Sequence, residues 1–168
     1  MSDMIEAIKS FFLDTVGREL CVFFCSMLPI IELRGAIPLG AGLGVASWQT
    51  FLLAVAGNLL PVPFLLLLWR WVLRLMHRIR WTRGIAEWLE ERAERSRGKI
   101  ERYEFWGLLI FVAIPLPGTG AWTGSLAAAV MGMRFWKAML AIGLGVLLAG
   151  GAMTLISYGA VAVFDLWF

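Results

Sequence analysis

Charged residues are scarce in this chain of 168 residues: Asp, Glu, Lys and Arg make up 16%, against about 25% in an average soluble domain. The shortage is concentrated in three stretches without any charge, residues 35–69, 105–133 and 138–164. Uncharged, mostly apolar stretches of about 18 residues or more are typical of membrane-embedded segments. Because a soluble helix needs only one apolar face, this composition excludes an ordinary soluble domain.

Residues that support common catalytic and metal chemistry are also few. There is one histidine, His77, and two cysteines, Cys21 and Cys25, which lie four positions apart on an apolar segment. No HExxH, GxSxG, phosphate-loop or ligand-spaced Cys/His motif occurs. We therefore expect no enzyme activity, no metal and no cofactor, and we interpret the two cysteines as small buried hydrophobic side chains.

The basic residues lie mostly in one segment. Ten of the fifteen Lys and Arg residues fall between Arg70 and Glu104, together with six acids. In a soluble protein such a segment suggests nucleic acid, but here it lies between membrane stretches. The positive-inside rule therefore places residues 70–104 in the cytoplasm of a multi-pass membrane protein, and we expect no nucleic-acid partner.

Proline and glycine interrupt the apolar segments. The 12 residues of Leu20–Ile31, as a helix, cover about 18 Å of a hydrocarbon core of about 30 Å. Pro29, Gly35 and Pro38 are then expected to break the helix, so that the chain enters halfway and returns. The predicted parts are an interfacial amphipathic helix (1–17), a first re-entrant hairpin (18–46), a transmembrane helix (47–76), a cytoplasmic amphipathic linker (77–103), a second re-entrant hairpin (104–133) and a transmembrane helix (134–166).

The second half of the chain repeats the first at a spacing of 88 residues. Identities within 30 aligned positions support the repeat, and they include Leu28/Leu116, Pro29/Pro117, Gly44/Gly132, Trp48/Trp136, Leu52/Leu140 and Gly57/Gly145. If each half consists of one hairpin and one spanning helix, it crosses the membrane once. Because the linker between the halves stays in the cytoplasm, the second half must then be inverted relative to the first, as in secondary transporters. The predicted fold is an all-α membrane protein with an inverted repeat of re-entrant hairpins; one long span over 105–133 is the alternative.

Two ionisable residues, Glu32 and Arg34, stand at the predicted tip of the first hairpin. The length of the first arm places them near the middle of the bilayer, where charges are costly and usually functional. Burial favours the protonated form of a carboxyl group, so Glu32 is the candidate for proton coupling. Arg34 keeps its charge and presents a planar group that suits phosphate or carboxylate. The alternative is a purely structural pair that holds the tip together.

Further candidate substrate-binding residues lie at both predicted tips and in the first span. Backbone that breaks within a membrane must face protein or water, and helix N-termini after the breaks, near 35–39 and 122–125, favour anions. The set is Gly35, Pro38, Asn58, Pro115, Pro117, Gly118, Thr119, Gly120, Trp122, Thr123 and Ser125. For Asn58 a hydrogen bond between helices is the alternative. The glycines of the last span are expected to allow close helix packing; they are Gly143, Gly145, Gly150 and Gly151.

The strings PIIELRGAIPLG, residues 29–40, and AIPLPGTGAWTG, residues 113–124, resemble the two signatures of the small multidrug export protein family, a relative of the DedA superfamily. The resemblance extends over nearly the whole chain. It implies an inner-membrane fold with two re-entrant hairpins, proton-dependent transport and, in some DedA-type members, flipping of a polyprenyl phosphate lipid. It matches Glu32 to the acidic residue of the first half. DedA-type proteins are expected to carry arginines in the second hairpin, and this chain has none between Phe105 and Met133.

The sequence thus predicts a proton-coupled secondary transporter or translocase that binds an amphipathic, anionic or lipid-like substrate, such as polyprenyl phosphate or a drug, between the two tips. In this hypothesis Glu32 carries the proton and Arg34 orients the head group. The competing hypotheses are a membrane scaffold or assembly factor with a structural Glu–Arg pair, and an oligomeric channel. Membrane lipids and further copies of the chain, in a homodimer or larger assembly, are the expected partners.

Overall fold

A computed structural model describes residues 17–78, 103–116 and 118–167. These residues form seven α-helices and contain no β-strand. The helices are α1 (Gly17–Met27), α2 (Glu32–Gly42), α3 (Ser47–Leu59), α4 (Val62–Arg78), α5 (Glu104–Ala113), α6 (Ala121–Val130) and α7 (Phe135–Trp167). The all-α prediction is confirmed for this part of the chain, whereas almost all of the predicted interfacial helix (1–17) and of the predicted linker (77–103) lies outside it.

Two stretches are long and apolar enough to cross a membrane, Ser47–Val72 and Phe135–Val163. The first joins α3 to α4 and is interrupted at Leu60 and Pro61, because a proline ring has no N–H to continue the helical hydrogen bonds. The second lies within the continuous helix α7. Each overlaps most of its length with an uncharged stretch of the sequence, 35–69 or 138–164, as expected for a membrane protein.

The short helices α1 and α2 pack against each other and against α3. The chain breaks between them at residues 28–31, before Glu32, and α2 then runs through Gly35 and Pro38 to Gly42. The predicted break at Gly35 and Pro38, and a helix start near 35–39, are therefore wrong. Pro38 is tolerated inside α2 because its ring lies on the exposed face, where it has room, and only one hydrogen bond is lost.

The short helices α5 and α6 also pack against each other. The described residues between them are not helical, Pro115 lacks an N–H, and Gly118 has a φ of 84°. Residues 105–133 therefore do not form the single long helix of the alternative prediction. Helix α6 begins at Ala121, next to the predicted start at 122–125.

The turns that follow α2 and α6 are built alike. Gly44 and Gly132 have φ values of 73° and 68°, a conformation that costs glycine nothing. Both turns are Schellman motifs, in which two N–H groups bond back to the end of the helix. The bonds are Gly44 N to Ala41 O (3.1 Å), Val45 N to Gly40 O (3.0 Å), Gly132 N to Ala129 O (3.1 Å) and Met133 N to Ala128 O (3.0 Å). Each atom of the second turn lies 88 residues after its counterpart, so the sequence repeat is also a structural repeat.

The chain divides into two compact units. The first contains α1, α2, α3 and the second half of α7, from Leu147 onward. The second contains α4, α5, α6 and the first half of α7, up to Val146. Each unit thus contains the two short helices of one repeat and the first half of the long segment that follows them. It also contains the second half of the long segment that belongs to the other repeat. The two repeats exchange half a span.

Equivalent hydrogen bonds hold the exchanged half-span in each unit. In the first unit, the Tyr158 hydroxyl donates to the Val45 carbonyl over 2.6 Å and shares a hydrogen bond of 2.6 Å with Thr50 Oγ1. In the second unit, the Arg70 guanidinium donates to the Met133 carbonyl. Tyr158 stands 88 positions after Arg70, and Met133 stands 88 positions after Val45. The same position of each repeat therefore bonds to the Schellman turn of the other.

Glycines allow the closest helix contacts within each unit. A Cβ at Gly57 would overlap the Phe23 carbonyl oxygen of α1, and a Cβ at Gly145, the counterpart of Gly57, would lie 2.9 Å from the Leu109 carbonyl oxygen of α5. Among the four glycines predicted for close packing, Gly145 and Gly150 make such contacts. Within the described residues, the positions of Gly143 and Gly151 have no neighbour within 4 Å of an added Cβ.

Replacing Gly145 with alanine should destabilise the protein by about 1–3 kcal/mol, because the new methyl group would overlap α5. The matched control is Gly143→Ala on the same helix, where the methyl group enters open space and alanine favours the helix. Thermal unfolding in detergent, followed by tryptophan fluorescence, measures both. Equal melting temperatures for the two variants would contradict the described contact.

Replacing Tyr158 with phenylalanine should lower stability by about 1–3 kcal/mol, because the buried Val45 carbonyl loses the hydroxyl that satisfies it. Tyr103→Phe is the matched control, since Tyr103 is 70% exposed. The same unfolding measurement compares the two variants. If Tyr158→Phe unfolds like the Tyr103 variant, the exchanged half-span is held by apolar contacts alone.

Candidate functional site

The first candidate site lies where the chain turns between α1 and α2. Leu28 N–H bonds to the Cys25 carbonyl over 3.2 Å, and Glu32 N–H bonds to the Leu28 carbonyl over 2.9 Å. Glu32 has a φ of 49°, in the left-handed region that costs an L-residue roughly 1–2 kcal/mol. No other non-glycine residue of the described chain has a positive φ. Strained backbone of this kind persists where its surroundings hold it, and it clusters at functional sites.

Glu32 and Arg34 form a nearly buried ion pair at this turn. Arg34 Nη1 lies 3.2 Å from Glu32 Oε2, and the side chains are 12% and 8% exposed, respectively. Residues two apart on a regular helix point in different directions. The left-handed backbone at Glu32 turns its side chain away from the helical direction and towards Arg34. The pairing that sequence analysis weighed as the structural alternative is therefore present.

Two other residues of the predicted site, Gly35 and Pro38, follow on α2. A Cβ at Gly35 would lie 2.6 Å from Ile31 Cγ2, so glycine here makes room for the turn. Pro38 is exposed on α2. Both positions have a local structural explanation, and their contact with a substrate stays a prediction.

Asn58 lies in the interior of the first unit. Its side chain is 0% exposed, and among the described residues neither its amide oxygen nor its amide nitrogen has a hydrogen-bond partner. Gly57, its neighbour in α3, meets Ser26 near the end of α1, so Asn58 lies close to the level of the α1–α2 turn. A buried amide without a partner is costly, and such a group calls for an explanation. Among the described residues, the predicted interhelical hydrogen bond of Asn58 is not formed.

Buried polar side chains are distributed unequally between the two units. Those of the first unit are Ser26, Glu32, Thr50 and Asn58, whereas the described part of the second unit has only Ser125. Ser26 donates to the Phe23 carbonyl over 2.7 Å. The capacity for polar chemistry in the described chain is therefore concentrated in the first unit.

The hydroxyl groups of the second predicted tip donate to nearby backbone carbonyls. Thr119 Oγ1 lies 2.9 Å from the carbonyls of both Ile114 and Leu116. Thr123 donates to Gly120 over 3.2 Å, and Ser125 donates to Ala121 over 2.7 Å. Such local bonds compete with ligand binding and are typical of Ser and Thr at turns and in helices. The hydroxyl protons of these three residues are thus already donated to backbone carbonyls of the turn and of α6.

The remaining residues of the second tip have mixed surroundings. Pro115 and Gly118 are exposed, Gly120 is buried before the first turn of α6, and Trp122 is half-buried in that turn. Pro117 lies outside the described residues. The contact of these residues with a substrate stays a prediction.

The two cysteines are free thiols on one face of α1, with their sulfur atoms 3.9 Å apart. Cys21 is exposed and Cys25 is half-buried, so the predicted burial is wrong for Cys21, which lies on the outward face of the helix. Within the described residues, no group of three or more His, Cys, Asp or Glu side chains is placed to hold a metal ion.

Sequence reasoning missed three polar residues that the structure uses, namely Ser26, Thr50 and Tyr158. Ser26 and Thr50 are single hydroxyl residues in apolar helices, which carry little signal. The sequence could have indicated a role for Tyr158, because this residue stands 88 positions after Arg70 and both follow the start of a long apolar segment. The repeat could therefore have predicted that Tyr158 and Arg70 have equivalent partners.

Two long apolar spans and two pairs of short helices that recur along the chain define a small helical membrane protein. It belongs to the family described as "Putative small multi-drug export protein", whose model matches residues 32–151. The predicted family is thus confirmed, and its description is that of an export protein, which is a class of transporter. No curated protein and no solved structure matches the chain.

Replacing Asn58 with valine, which is only slightly larger and is the residue found 88 positions later (Val146), should leave the stability unchanged or raise it. The change removes a buried amide that has no partner among the described residues, so it loses no described hydrogen bond. Thermal unfolding in detergent tests this, with Ser26→Ala, which breaks the bond to Phe23, as the contrasting variant. A melting temperature that falls further for the Asn58 variant than for the Ser26 variant would show that the amide has a partner that this structure does not include.

Proposed function

We propose that this protein is a proton-coupled secondary transporter that moves an amphipathic, anionic substrate across the inner membrane. The observation that carries the proposal is the buried Glu32–Arg34 pair on strained backbone, within a chain of a transporter family. Ionisable residues buried in a membrane protein are expensive and are functional candidates by default. A polyprenyl phosphate lipid and an anionic drug both have the chemistry that this site would recognise.

Glu32 and Arg34 have distinct roles in this proposal. Glu32 binds and releases the proton, because a carboxyl group in apolar surroundings can be stable in its neutral form. Arg34 binds the anionic head group through its planar guanidinium, which suits phosphate and carboxylate oxygens. Leu28 and Ile30, in the turn beside the pair, are 49% and 94% exposed and offer apolar surface to a hydrocarbon tail.

We also propose that the repeat is inverted and that each pair of short helices is a re-entrant hairpin. The recurrence of both Schellman turns at a spacing of 88 residues supports two equivalent halves. The 10 residues of α5 and of α6 are each too few to cross a core of about 30 Å. With the basic segment 70–104 in the cytoplasm, one crossing per half makes the second half inverted. A homodimer or larger assembly remains part of this proposal.

A membrane scaffold is the second candidate function, because Glu32 and Arg34 are paired with each other in this structure. Breaking a buried pair by removing one partner is strongly destabilising, by about 3–5 kcal/mol. A scaffold therefore predicts that a variant of Glu32 loses stability and that the wild-type protein transports nothing. A transporter predicts a loss of activity in a variant that is still folded.

Replacing Glu32 with glutamine should lower the rate of transport driven by a pH gradient at least tenfold, while the protein still accumulates in the membrane. Glutamine has the shape of the protonated carboxyl but cannot release a proton, and it adopts the left-handed backbone no less readily than glutamate. The measurement is the movement of a fluorescent anionic lipid in proteoliposomes with an imposed pH gradient. Glu19→Gln, at the start of α1, is the matched control and should transport normally. Full activity of the Glu32 variant would remove Glu32 from the mechanism.

A further inference from the structure

We propose that the second unit binds a membrane phospholipid whose head group carries a primary amine, with the amine at Glu104 and one acyl chain in a groove between α5 and α6. The inference goes beyond the proposed function, because every residue of the groove lies in the second unit, whereas Glu32 and Arg34 belong to the first. The lipid is here a bound ligand of the second unit and not the transported substrate.

The groove is a cavity of about 280 Å³ along α5 and α6, close to the smallest volumes that small-molecule sites usually have, about 300 Å³. Its lining includes Tyr103, Glu104, Gly107, Phe111, Ala127 and Met131. Among these residues Glu104 carries the charge, and it is the only acid in the described part of the second unit. The groove is therefore apolar along its length and has a carboxylate at one end.

Two small residues make room for the groove, one on each helix. A Cβ added at Gly107 would have no neighbour within 4 Å, so the space beside α5 is open at this position. Ala127 provides the facing wall on α6. The residues 88 positions earlier are Glu19 and Leu39, both with longer side chains. The groove thus follows from the residues of the second repeat and not from the backbone that the two repeats share.

The groove runs along the two helices, which are antiparallel. A Cβ at Gly124, near the start of α6, would lie 2.7 Å from Val112 Cγ2, near the end of α5. The end of α6 at Met131 therefore returns to the level of Glu104, at the start of α5. The seven residues from Glu104 to Phe111 cover about 10 Å of helix, which is roughly two thirds of the hydrocarbon half-thickness of about 15 Å. This length suits an acyl chain in one leaflet.

The groove lies where lipid is abundant. Its helix α5 also carries exposed large apolar side chains, Trp106 (58% exposed) and Ile110 (54% exposed), a surface that in a membrane protein contacts hydrocarbon. The segment 70–104, which ends at Glu104, has ten basic and six acidic residues, so it lies outside the hydrocarbon core. Glu104 is therefore at the level of the head groups, and the groove leads from it into the core, as an acyl chain does.

The carboxylate of Glu104 selects the head group. Glu104 is half-buried in the first turn of α5, where an acid also stabilises the helix, but that effect requires no groove beside it. A primary ammonium group donates charge-assisted hydrogen bonds to a carboxylate. The quaternary ammonium of choline has no N–H to donate, and a head group with a net negative charge is repelled. Phosphatidylethanolamine therefore fits the groove better than phosphatidylcholine or phosphatidylglycerol.

The first experiment measures lipid binding to the purified full chain by native mass spectrometry. The protein, stripped of lipid in detergent, receives equal amounts of phosphatidylethanolamine, phosphatidylcholine and phosphatidylglycerol with the same acyl chains. The first phosphatidylethanolamine adduct should be about threefold more abundant than either other adduct, as expected for an ion pair with a half-exposed carboxylate. Equal abundance would mean nonspecific lipid binding, and a preference for phosphatidylglycerol would mean that basic residues select the head group; either result would overturn the proposal.

The Glu104→Gln variant tests the role of the carboxylate in the same measurement. Glutamine keeps the shape of the side chain and removes its negative charge, so the phosphatidylethanolamine adduct should fall to the level of phosphatidylcholine. Glu19→Gln, which changes an acid in the first turn of α1, is the matched control and should keep the preference. An unchanged preference in the Glu104 variant would contradict the assignment of the amine.

The Gly107→Leu variant tests the groove itself, because the new side chain enters the space that the acyl chain would occupy. It should lower the abundance of the phosphatidylethanolamine adduct about fivefold, since the chain loses apolar contact. Gly107→Ala adds a single methyl group and should bind nearly as the wild type does. Ala127→Leu, with the residue of the first repeat, is a second filling variant if Gly107→Leu does not fold. Wild-type binding by a folded filling variant would place the lipid elsewhere and overturn the proposal.

A lipophilic cation is the other occupant that would match the charge of Glu104. Tetraphenylphosphonium, which has neither an acyl chain nor an N–H group, should not displace phosphatidylethanolamine from the wild-type protein. Displacement that is lost in the Glu104→Gln variant would assign the groove to cationic drugs and overturn the choice of a lipid. Both results are independent of whether the Glu32–Arg34 pair transports a substrate.

Discussion

A backbone that stops being helical in apolar surroundings must find a hydrogen-bond partner for each exposed N–H and carbonyl, since lipid provides none. This constraint explains most of the polar contacts in the described chain. The ends of α2 and α6 are closed by Schellman turns at Gly44 and Gly132. The carbonyls that follow are satisfied by Tyr158 and Arg70. The hydroxyl groups around the α5–α6 break are bonded to local carbonyls for the same reason.

The two repeats have the same turns and equivalent backbone hydrogen bonds, but their buried side chains differ in polarity. In the first repeat the buried polar positions include Glu32, Thr50 and Asn58. The residues 88 positions later are Gly120, Ala138 and Val146, which have no polar side-chain atoms. One repeat thus contributes an ion pair and a buried amide, and the other contributes apolar packing at equivalent positions. Within the described residues, the nearly buried ion pair thus belongs to one of two similar halves.

Much of the fold could be predicted from the sequence, because uncharged stretches and glycine–proline positions report directly on membrane spans and helix ends. The spans, the α5–α6 break and the 88-residue repeat are examples. The course of α2 could not be predicted from Pro38, since a proline on an exposed face does not end a helix. Composition does not show that a carbonyl close by already accepts the hydroxyl protons of Thr119, Thr123 and Ser125, and the contact of these residues with a substrate stays a prediction. The sequence indicates Glu32 and Arg34 as a candidate site, but it does not predict the left-handed backbone at Glu32, which glutamate seldom adopts.

The exchange of half-spans has a consequence for biosynthesis. The hydrogen bond from Tyr158 to Val45 joins residues 113 positions apart, so the unit that holds Glu32 is completed only when the end of the last helix has been synthesised. Until then α1, α2 and α3 lack the second half of α7, and contacts between residues so distant in sequence form slowly.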